Sequence, residues 1–306
     1  MSYVPRFDWK ALATTRGDRP DGVVAYRYHE DLALAVNVAL AAARPLLLSG
    51  KPGTGKSTLA ADVAWKLGRR FYADSVTSKT EGRDLQWRFD AVERLSYATS
   101  SKENLPEPRK FITPGVLWWA FQPNTAKHQG NRKPAERKWG DEGEHAVVLV
   151  DEIDKAEPDV PNDLLNVLDQ RAFHVPETDT RVSAEGREVL IVITTNGERD
   201  LPPAFVRRCV TYELPMPKEA ELEEIARLHF KGMNPSLVTE VRKLFEELGG
   251  KAESQKLRAP STAELIDALR ACAGLKIESE LDEKWKEIAL ASMWKHGKLK
   301  DEPGKK

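Results

Sequence analysis

The sequence predicts an α/β fold with a parallel sheet, followed by a region that contains helices only. Three short apolar runs are typical of strands buried on both faces of such a sheet, "PLLLSG", "AVVLVDEID" and "LIVITTN", and "RRFYADSV" is predicted to be a further strand. Stretches with apolar residues at helical spacing alternate with these runs. After Pro217 the strand-like runs cease and helical spacing continues, which predicts a domain boundary near residue 216.

The first elements follow from local signals in chain order. Residues 1–22 are polar and contain prolines and a glycine, so we expect an N-terminal arm or irregular cover. "HEDLALAVNVALAAARP" has helical spacing, and Pro45 is placed to stop that helix. Between the first two strands, an Ala-rich helix is predicted to end near Leu67.

The rest of the chain mixes regular and irregular segments. Residues 77–114 combine an amphipathic stretch with loop-like sequence, and residues 123–145 are charged with little periodicity, which predicts a mobile insertion. "VPNDLLNVLDQ" predicts a helix, "RAFHVPET" with "TRVSAEGREV" a hairpin, and "PPAFVRRCVTYELPMP" a short helix with a closing strand. Helices are then predicted over "EAELEEIARLHF", "SLVTEVRKLFEEL", "STAELIDALRACAGL" and "ELDEKWKEIALASMWKHG".

Composition limits the classes of function. The 306 residues are 41% hydrophobic and 31% charged, which is typical of a soluble globular protein. A formal net charge of −1 does not favour long-range attraction to nucleic acid or anionic membranes. Two cysteines far apart in sequence indicate a reducing compartment, and the histidines show no metal-ligand spacing. With neither a signal peptide nor a membrane-spanning window, we expect a cytoplasmic protein.

Residues 50–57, "GKPGTGKS", match G-x-x-x-x-G-K-[ST] between a predicted strand and a predicted helix. Glycines let successive backbone N–H groups point at phosphate oxygens, and the helix adds its positive N-terminal end. Lys56 then places a charge on the β- and γ-phosphates, and the Ser57 hydroxyl can ligate Mg²⁺. The alternative is a Gly-rich turn with a solvated lysine, but the flanking strand and helix favour a triphosphate site. The predicted nucleotide-binding residues are Gly50, Lys51, Pro52, Gly53, Thr54, Gly55, Lys56, Ser57 and Thr58.

A phosphate-binding loop requires a second strand that ends in a carboxylate facing the metal. "VVLVDEID" ends in Asp151, which with Ser57 would hold Mg²⁺, and in Glu152, which would polarise the attacking water. The alternative is that these residues only cap the following helix. "LIVITTN" ends in Asn196, which can hold the attacking water beside the γ-phosphate; its alternative is a turn residue before Gly197.

These motifs in this order resemble those of the AAA+ ATPases. The sequences of the motifs are similar to those of the MoxR-type branch: "RPLLLSGKPGTGKSTLAADVA", "FITPG", "VVLVDEIDKAEPDVPNDLLNVLD" and "IVITTNGERDLPPAFVRRCV". The resemblance implies a P-loop αβα sandwich over residues 23–216 and a small helical lid domain over residues 217–306. It also implies that ATP and Mg²⁺ are held between neighbouring subunits of a homo-oligomeric ring, usually a hexamer.

The resemblance assigns roles to three arginines. In that family an arginine after the Asn-bearing strand reaches into the neighbour's site, and "FVRRC" offers Arg208, which aligns better, with Arg207 in reserve. A surface ion pair is the alternative for these residues. MoxR-type lids usually carry a sensor arginine in a pattern like S-P-R-A, which this chain lacks. Arg258, in the loop before a late helix, is the candidate for that charge, with Lys256 as the weaker option.

The same resemblance implies a helix-two insert within residues 77–114 that projects toward the ring pore. Its apolar candidates for facing the pore or a partner are Trp87 and Phe89, with packing in the core as the alternative. Trp118 and Trp119 are expected to pack in the core.

The leading functional hypothesis is an ATP-hydrolysing ring motor that remodels a protein client. MoxR-type relatives act in a chaperone-like way with von Willebrand A-domain proteins, so such a client is implied by the resemblance alone. The alternative is a nucleic-acid-directed or defence-system ATPase, which would need a basic surface. The local basic cluster is "NRKPAERK" (Arg132, Lys133, Arg137, Lys138), which is expected to be a solvated loop.

Overall fold

The computed structural model describes residues 4–15, 24–100, 105–130, 136–137, 145–230 and 232–295. Contacts divide the chain into two compact units. The first contains Met1–Val24, Tyr28–Gly50 and Lys56–Leu214, and the second contains Ala25–Arg27, Lys51–Gly55 and Pro215–Lys306.

The first unit alternates helices and strands along the chain. Its described helices are α1 (Trp9–Thr15), α2 (Glu30–Ala42), α3 (Lys56–Leu67), α4 (Ala91–Ser100), α5 (Val116–Phe121), α6 (Pro123–Ala126), α7 (Asp159–Asp163), α8 (Leu165–Gln170) and α9 (Pro203–Val206). Its described strands are β1 (Leu46–Ser49), β2 (Arg70–Ser75), β3 (Trp87–Phe89), β4 (Ile112–Pro114), β5 (Glu136–Arg137), β6 (Ala146–Asp151), β7 (Ala172–Val175), β8 (Thr180–Ser183), β9 (Val189–Thr195) and β10 (Val210–Glu213).

A six-stranded sheet forms the centre of this unit, in the order β10-β1-β9-β6-β2-β5. The first five strands are parallel, and β5 runs antiparallel to β2. Successive residues of a strand point to opposite faces, and Val147, Val148, Leu149 and Val150 of β6 are all buried, so both faces of the sheet are covered. This arrangement confirms the predicted α/β class with a parallel sheet.

Two short antiparallel pairs, β3 with β4 and β7 with β8, meet through an aromatic cluster. The Phe173 ring on β7 stacks on Trp87 at 5.7 Å and contacts Trp118 and Phe121 at 6.1 and 6.2 Å. Trp87 is therefore a core residue, and the Trp87 indole Nε1 also donates to Glu177 Oε2 at 3.1 Å. Of the two alternatives for Trp87, packing is the one that the structure shows.

From Pro215 onward, the described residues of the second unit form the helices α10 (Glu219–His229), α11 (Pro235–Ser254), α12 (Thr262–Gly274) and α13 (Lys284–Met293). Buried side chains from all four helices form one apolar core: it includes Leu222 of α10, Leu248 of α11, Leu269 of α12 and Met293 of α13. The C-terminal residues 296–306 lie outside the described residues.

Two segments predicted to be irregular contain helices. Within residues 1–22, α1 forms because the Asp8 carboxylate accepts the N–H groups of Lys10 and Ala11 at its first turn. Within residues 123–145, α6 begins at Pro123, where a proline suits the first helical position, and α6 buries Ala126. Both predictions of irregular structure were wrong at these points because capping and burial act on too few residues to create periodicity.

Candidate functional site

The loop after β1 has the backbone conformation that its glycines permit. Gly50, Gly53 and Gly55 have φ angles of 145°, 80° and 91°, which residues other than glycine rarely adopt. Helix α3 begins directly afterwards at Lys56, so Ser57 and Thr58 lie in its first turn. The first N–H groups of α3, which have no acceptor within the helix, and its positive end therefore belong to the same segment as the glycines, as an anion site requires.

Glycine is also needed in this loop for space. A Cβ at Gly53 would lie 2.6 Å from Cβ of Ser261, and a Cβ at Gly55 would lie 3.1 Å from the Tyr26 ring. The Thr54 hydroxyl donates to the Lys51 carbonyl at 2.9 Å and closes the turn, while Lys51 and Pro52 are exposed.

The Ser57 hydroxyl lies 2.9 Å from Oδ1 and 2.8 Å from Oδ2 of Asp151, the last residue of β6. Thr194 on the neighbouring strand β9 donates to Asp151 Oδ1 at 2.5 Å and accepts the Glu152 N–H at 2.8 Å. Thr194 is fully buried and was not predicted as a site residue. Its only signal in the sequence is a hydroxyl two residues before Asn196.

The Glu152 carboxylate is held at both oxygens. Asn196 Nδ2 donates to Oε1 at 3.1 Å, and Lys155 Nζ lies 2.5 Å from Oε2. The pKa of Lys155 is raised, chiefly because its ammonium donates a hydrogen bond to Glu152. The sequence predicted that Glu152 and Asn196 act on the same attacking water, but it did not predict the contact with Lys155.

Asp154 holds the loop that carries Asn196. Its Oδ2 accepts the backbone N–H groups of Asn196 and Glu198 at 3.0 and 2.9 Å, and Asp154 is only 3% exposed. Asp154 therefore fixes where the end of β9 lies, a role that sequence analysis did not assign.

Lys56 is buried, and its Nζ donates to the Gly50 carbonyl at 2.7 Å. Burial lowers the pKa of Lys56 and outweighs the nearby carboxylates of Asp151, Asp154 and Glu152, which raise it. The Lys56 ammonium thus lies near three carboxylates, and a divalent cation bound at those carboxylates would offset their repulsion of a phosphate.

The predicted arginines differ in their contacts. Arg208 Nε donates to Asp169 Oδ2 at 2.5 Å and Arg208 Nη1 donates to the Ala204 carbonyl at 3.0 Å, whereas Arg207 is exposed after α9. In the second unit, Arg258 forms two hydrogen bonds with Glu264, at 3.0 and 3.3 Å.

A sequence profile of the AAA domain (dynein-related subfamily) matches residues 45–209, which is more than half of the chain. The chain belongs to the AAA domain family. This AAA protein is also similar to curated relatives named Lon protease homolog 2, peroxisomal. Identity is 25% over 251 residues in Xenopus laevis and 28% over 191 residues in Arabidopsis thaliana. These alignments cover 80% and 60% of the AAA protein but only 24% and 18% of the relatives, so the chain spans at most about a quarter of their length.

Solved structures of RuvB from Thermotoga maritima are similar to the AAA protein at 16% identity. One RuvB point mutant gives a TM-score of 0.49 and covers 90% of the AAA protein and 72% of that chain. The RuvB Holliday junction branch migration motor gives 0.45, with 86% and 66% covered.

AAA proteins bind ATP, typically with Mg²⁺, and the residues at the end of β6 fit that ion. Mg²⁺ prefers oxygen ligands and binds through one or two carboxylates together with substrate phosphates. Ser57 and Asp151 supply adjacent oxygens of this kind. Among the described residues, no group of three or more His, Cys, Asp or Glu side chains could hold a metal ion by itself.

Some predicted features lie outside the described part of this AAA protein. Of the predicted basic cluster, Arg132, Lys133 and Lys138 are outside the described residues, as is the side chain of Arg137. In the part of the chain that the structure describes, no helix has the length and apolarity needed to cross a bilayer.

Proposed function

We propose that this AAA protein hydrolyses ATP with Mg²⁺ and uses the reaction to drive a ring motor. The observation that supports this proposal is the contact of Ser57 with both oxygens of Asp151, with Glu152 and Asn196 bonded to each other beside it. The ends of β6 and β9 and the start of α3 thereby bring oxygen ligands for a metal, a carboxylate base and an amide to one place.

Each residue has a distinct proposed role. The loop from Gly50 to Thr58 binds the phosphates through backbone N–H groups, and Lys56 exchanges its bond to the Gly50 carbonyl for phosphate oxygens. Ser57 and Asp151 hold Mg²⁺, which when bound neutralises phosphate charge. Glu152 takes a proton from the attacking water, and Asn196 orients that water.

Two substitutions test this assignment. Lys56→Ala is expected to weaken ATP binding itself, because the substitution removes the positive charge that contacts the phosphates. Glu152→Gln is expected to bind Mg·ATP near the parent affinity but to lose at least about 100-fold in turnover, because general-base contributions are of that order. Calorimetry gives the affinity and phosphate release gives the turnover. Parent-like turnover by Glu152→Gln would contradict the base assignment, and absence of ATP binding by the folded parent would contradict the function.

We also propose a homo-oligomeric ring, a hexamer, in which an arginine of one subunit completes the neighbour's site. AAA+ proteins usually form rings. Arg207 is exposed at the end of α9 and is the better candidate for this reach, while Arg208 is engaged by Asp169. If sites assemble between subunits, specific ATPase activity rises with protein concentration; a flat dependence would contradict the trans-acting arginine.

The MoxR-type assignment, the cytoplasmic location and the protein client remain proposals that rest on the motifs. The proposed client is a von Willebrand A-domain protein, and purified A-domain protein from the same source should change the ATPase rate. A nucleic-acid role predicts instead that plasmid DNA binds with a steep dependence on salt. The domain limits, 23–216 and 217–306, and a lid role for Arg258 belong to the same proposal. If Arg258 has this lid role, Arg258→Ala should lower ATP turnover at temperatures where the variant is still folded.

A further inference from the structure

The Glu152 carboxylate is clamped from two sides by residues of different chemistry. Asn196 Nδ2 donates to one oxygen at 3.1 Å, and the Lys155 ammonium lies 2.5 Å from the other. Each carboxylate oxygen has two lone-pair directions, so one donor on each oxygen leaves a second direction open to water. The two donors therefore define the plane of the carboxylate without saturating it.

The backbone places Lys155 at this position. Glu152 has the left-handed angles φ 59° and ψ 51°, which turn the chain sharply at the end of β6. A 3₁₀ turn over Ile153–Lys155 follows, and the Lys155 N–H donates to the Glu152 carbonyl at 3.0 Å. Residues three apart in such a turn eclipse each other, so the Lys155 side chain is returned to the Glu152 side chain.

The Glu152 side chain needs a partner that restricts its rotamers. Its side chain is 32% exposed and has three rotatable bonds, and the carboxylates of Asp151 and Asp154 lie within two residues of it in sequence. Without a cation beside it, repulsion from those carboxylates and rotamer freedom would spread the Glu152 carboxylate over several positions.

We propose that Lys155 is a positioning residue for ATP hydrolysis, which fixes the Glu152 carboxylate in the orientation from which it accepts the proton of the attacking water. This inference rests on the proposed function, since it assumes that Glu152 is the base. Lys155 touches neither ATP nor water in this role; it acts through Glu152.

The test is steady-state ATPase kinetics on the full chain. Lys155→Met is expected to lower kcat about tenfold or more, because misplacing a reacting group by 1 Å can cost about 100-fold, while KM for ATP stays within about twofold. Lys155→Arg keeps a cation of similar reach and is expected to restore most of kcat. Lys10→Met is the matched control, because Lys10 forms a Lys–Glu pair at the same 2.5 Å distance with Glu30 in the same unit.

An unchanged or raised kcat in Lys155→Met overturns the proposal, as does a loss that Lys155→Arg does not restore. Equal losses in Lys155→Met and Lys10→Met also overturn it, because they would indicate a general effect of removing surface ion pairs. Failure of the proposed function is distinguishable: the folded parent would then show no ATP turnover.

Discussion

Arg208 is tied to Asp169, with guanidinium Nε 2.5 Å from carboxylate Oδ2, in a pair whose side chains are 37% and 46% exposed. Its Nη1 also donates to the Ala204 carbonyl on α9. These two contacts engage Nε and Nη1 of Arg208 within its own subunit. The adjacent Arg207 is exposed, so its surroundings differ from those of Arg208, which the resemblance favoured for the reach into a neighbouring site.

We predict that Arg207→Ala lowers ATP turnover in the assembled protein by about 10³-fold, the size of an arginine-finger effect. Arg208→Ala and Asp169→Asn should reduce turnover less, through the placement of α9. Mixing is the decisive measurement: Arg207→Ala subunits mixed with Lys56→Ala subunits should regain activity, because some interfaces combine an intact loop with an intact arginine. A mixture as inactive as its components contradicts the prediction.

The contact between Ser57 and Asp151 leads to a prediction on the metal. Ser57→Ala should raise the Mg²⁺ concentration needed for half-maximal turnover by roughly tenfold, the equivalent of one contact to a charged group. Ser57→Thr keeps the hydroxyl and is the matched control. The measurement is a Mg²⁺ titration of ATPase rate at fixed ATP, and identical titrations of the parent and Ser57→Ala would exclude Ser57 as a ligand.

Two glycines with similar backbone angles allow the effect of backbone strain on stability to be measured apart from the effect of steric crowding. Gly53 has φ 80° and no room for a Cβ, whereas Gly197 has φ 73° and nothing within 4 Å of that position. Gly197→Ala should therefore cost only the left-handed strain, about 1–2 kcal/mol of unfolding free energy. Gly53→Ala adds the overlap with Ser261 and should be the more destabilising variant, with weaker ATP binding. Denaturant titrations and calorimetry measure both effects, and equal losses would show that crowding is unimportant.

The hydrogen bonds of Glu264 lead to the prediction that this carboxyl makes a pH-dependent contribution to the stability of the second unit. Burial raises the pKa of this carboxyl, but hydrogen bonds from Ser261 and Arg258 outweigh burial and lower it below 4.5. A depressed folded-state pKa stabilises the protein above the unfolded pKa, and this stabilisation is lost as pH falls through the folded pKa.

Glu264→Gln should therefore lower the melting temperature at pH 7, and its difference from the parent should shrink as pH falls below 4.5. Glu287→Gln is the control, because its partner Lys284 and Glu287 itself are both exposed. A difference for Glu264→Gln that stays constant with pH would refute the linkage.

The helical unit shows where local signals fail. The predicted helix "SLVTEVRKLFEEL" ends before Gly249 and Gly250, which are poor helix formers, but α11 continues through both to Ser254. Leu248 and Ala252, on either side of the glycines, are fully buried, and this burial offsets the propensity cost of about 1 kcal/mol per glycine. Tertiary packing therefore decided the length of this helix.

The sequence by itself determined the fold class and the order of the motifs, because period-2 and period-3.6 patterns and the glycine loop are local properties of the chain. Only the tertiary structure brought Thr194 onto Asp151 and Glu152, and Asp154 onto the backbone after β9. These contacts join residues more than 40 positions apart. A hydroxyl or a carboxylate in a single sequence carries no sign of its distant partner, since the register between neighbouring strands, not their composition, sets which residues meet.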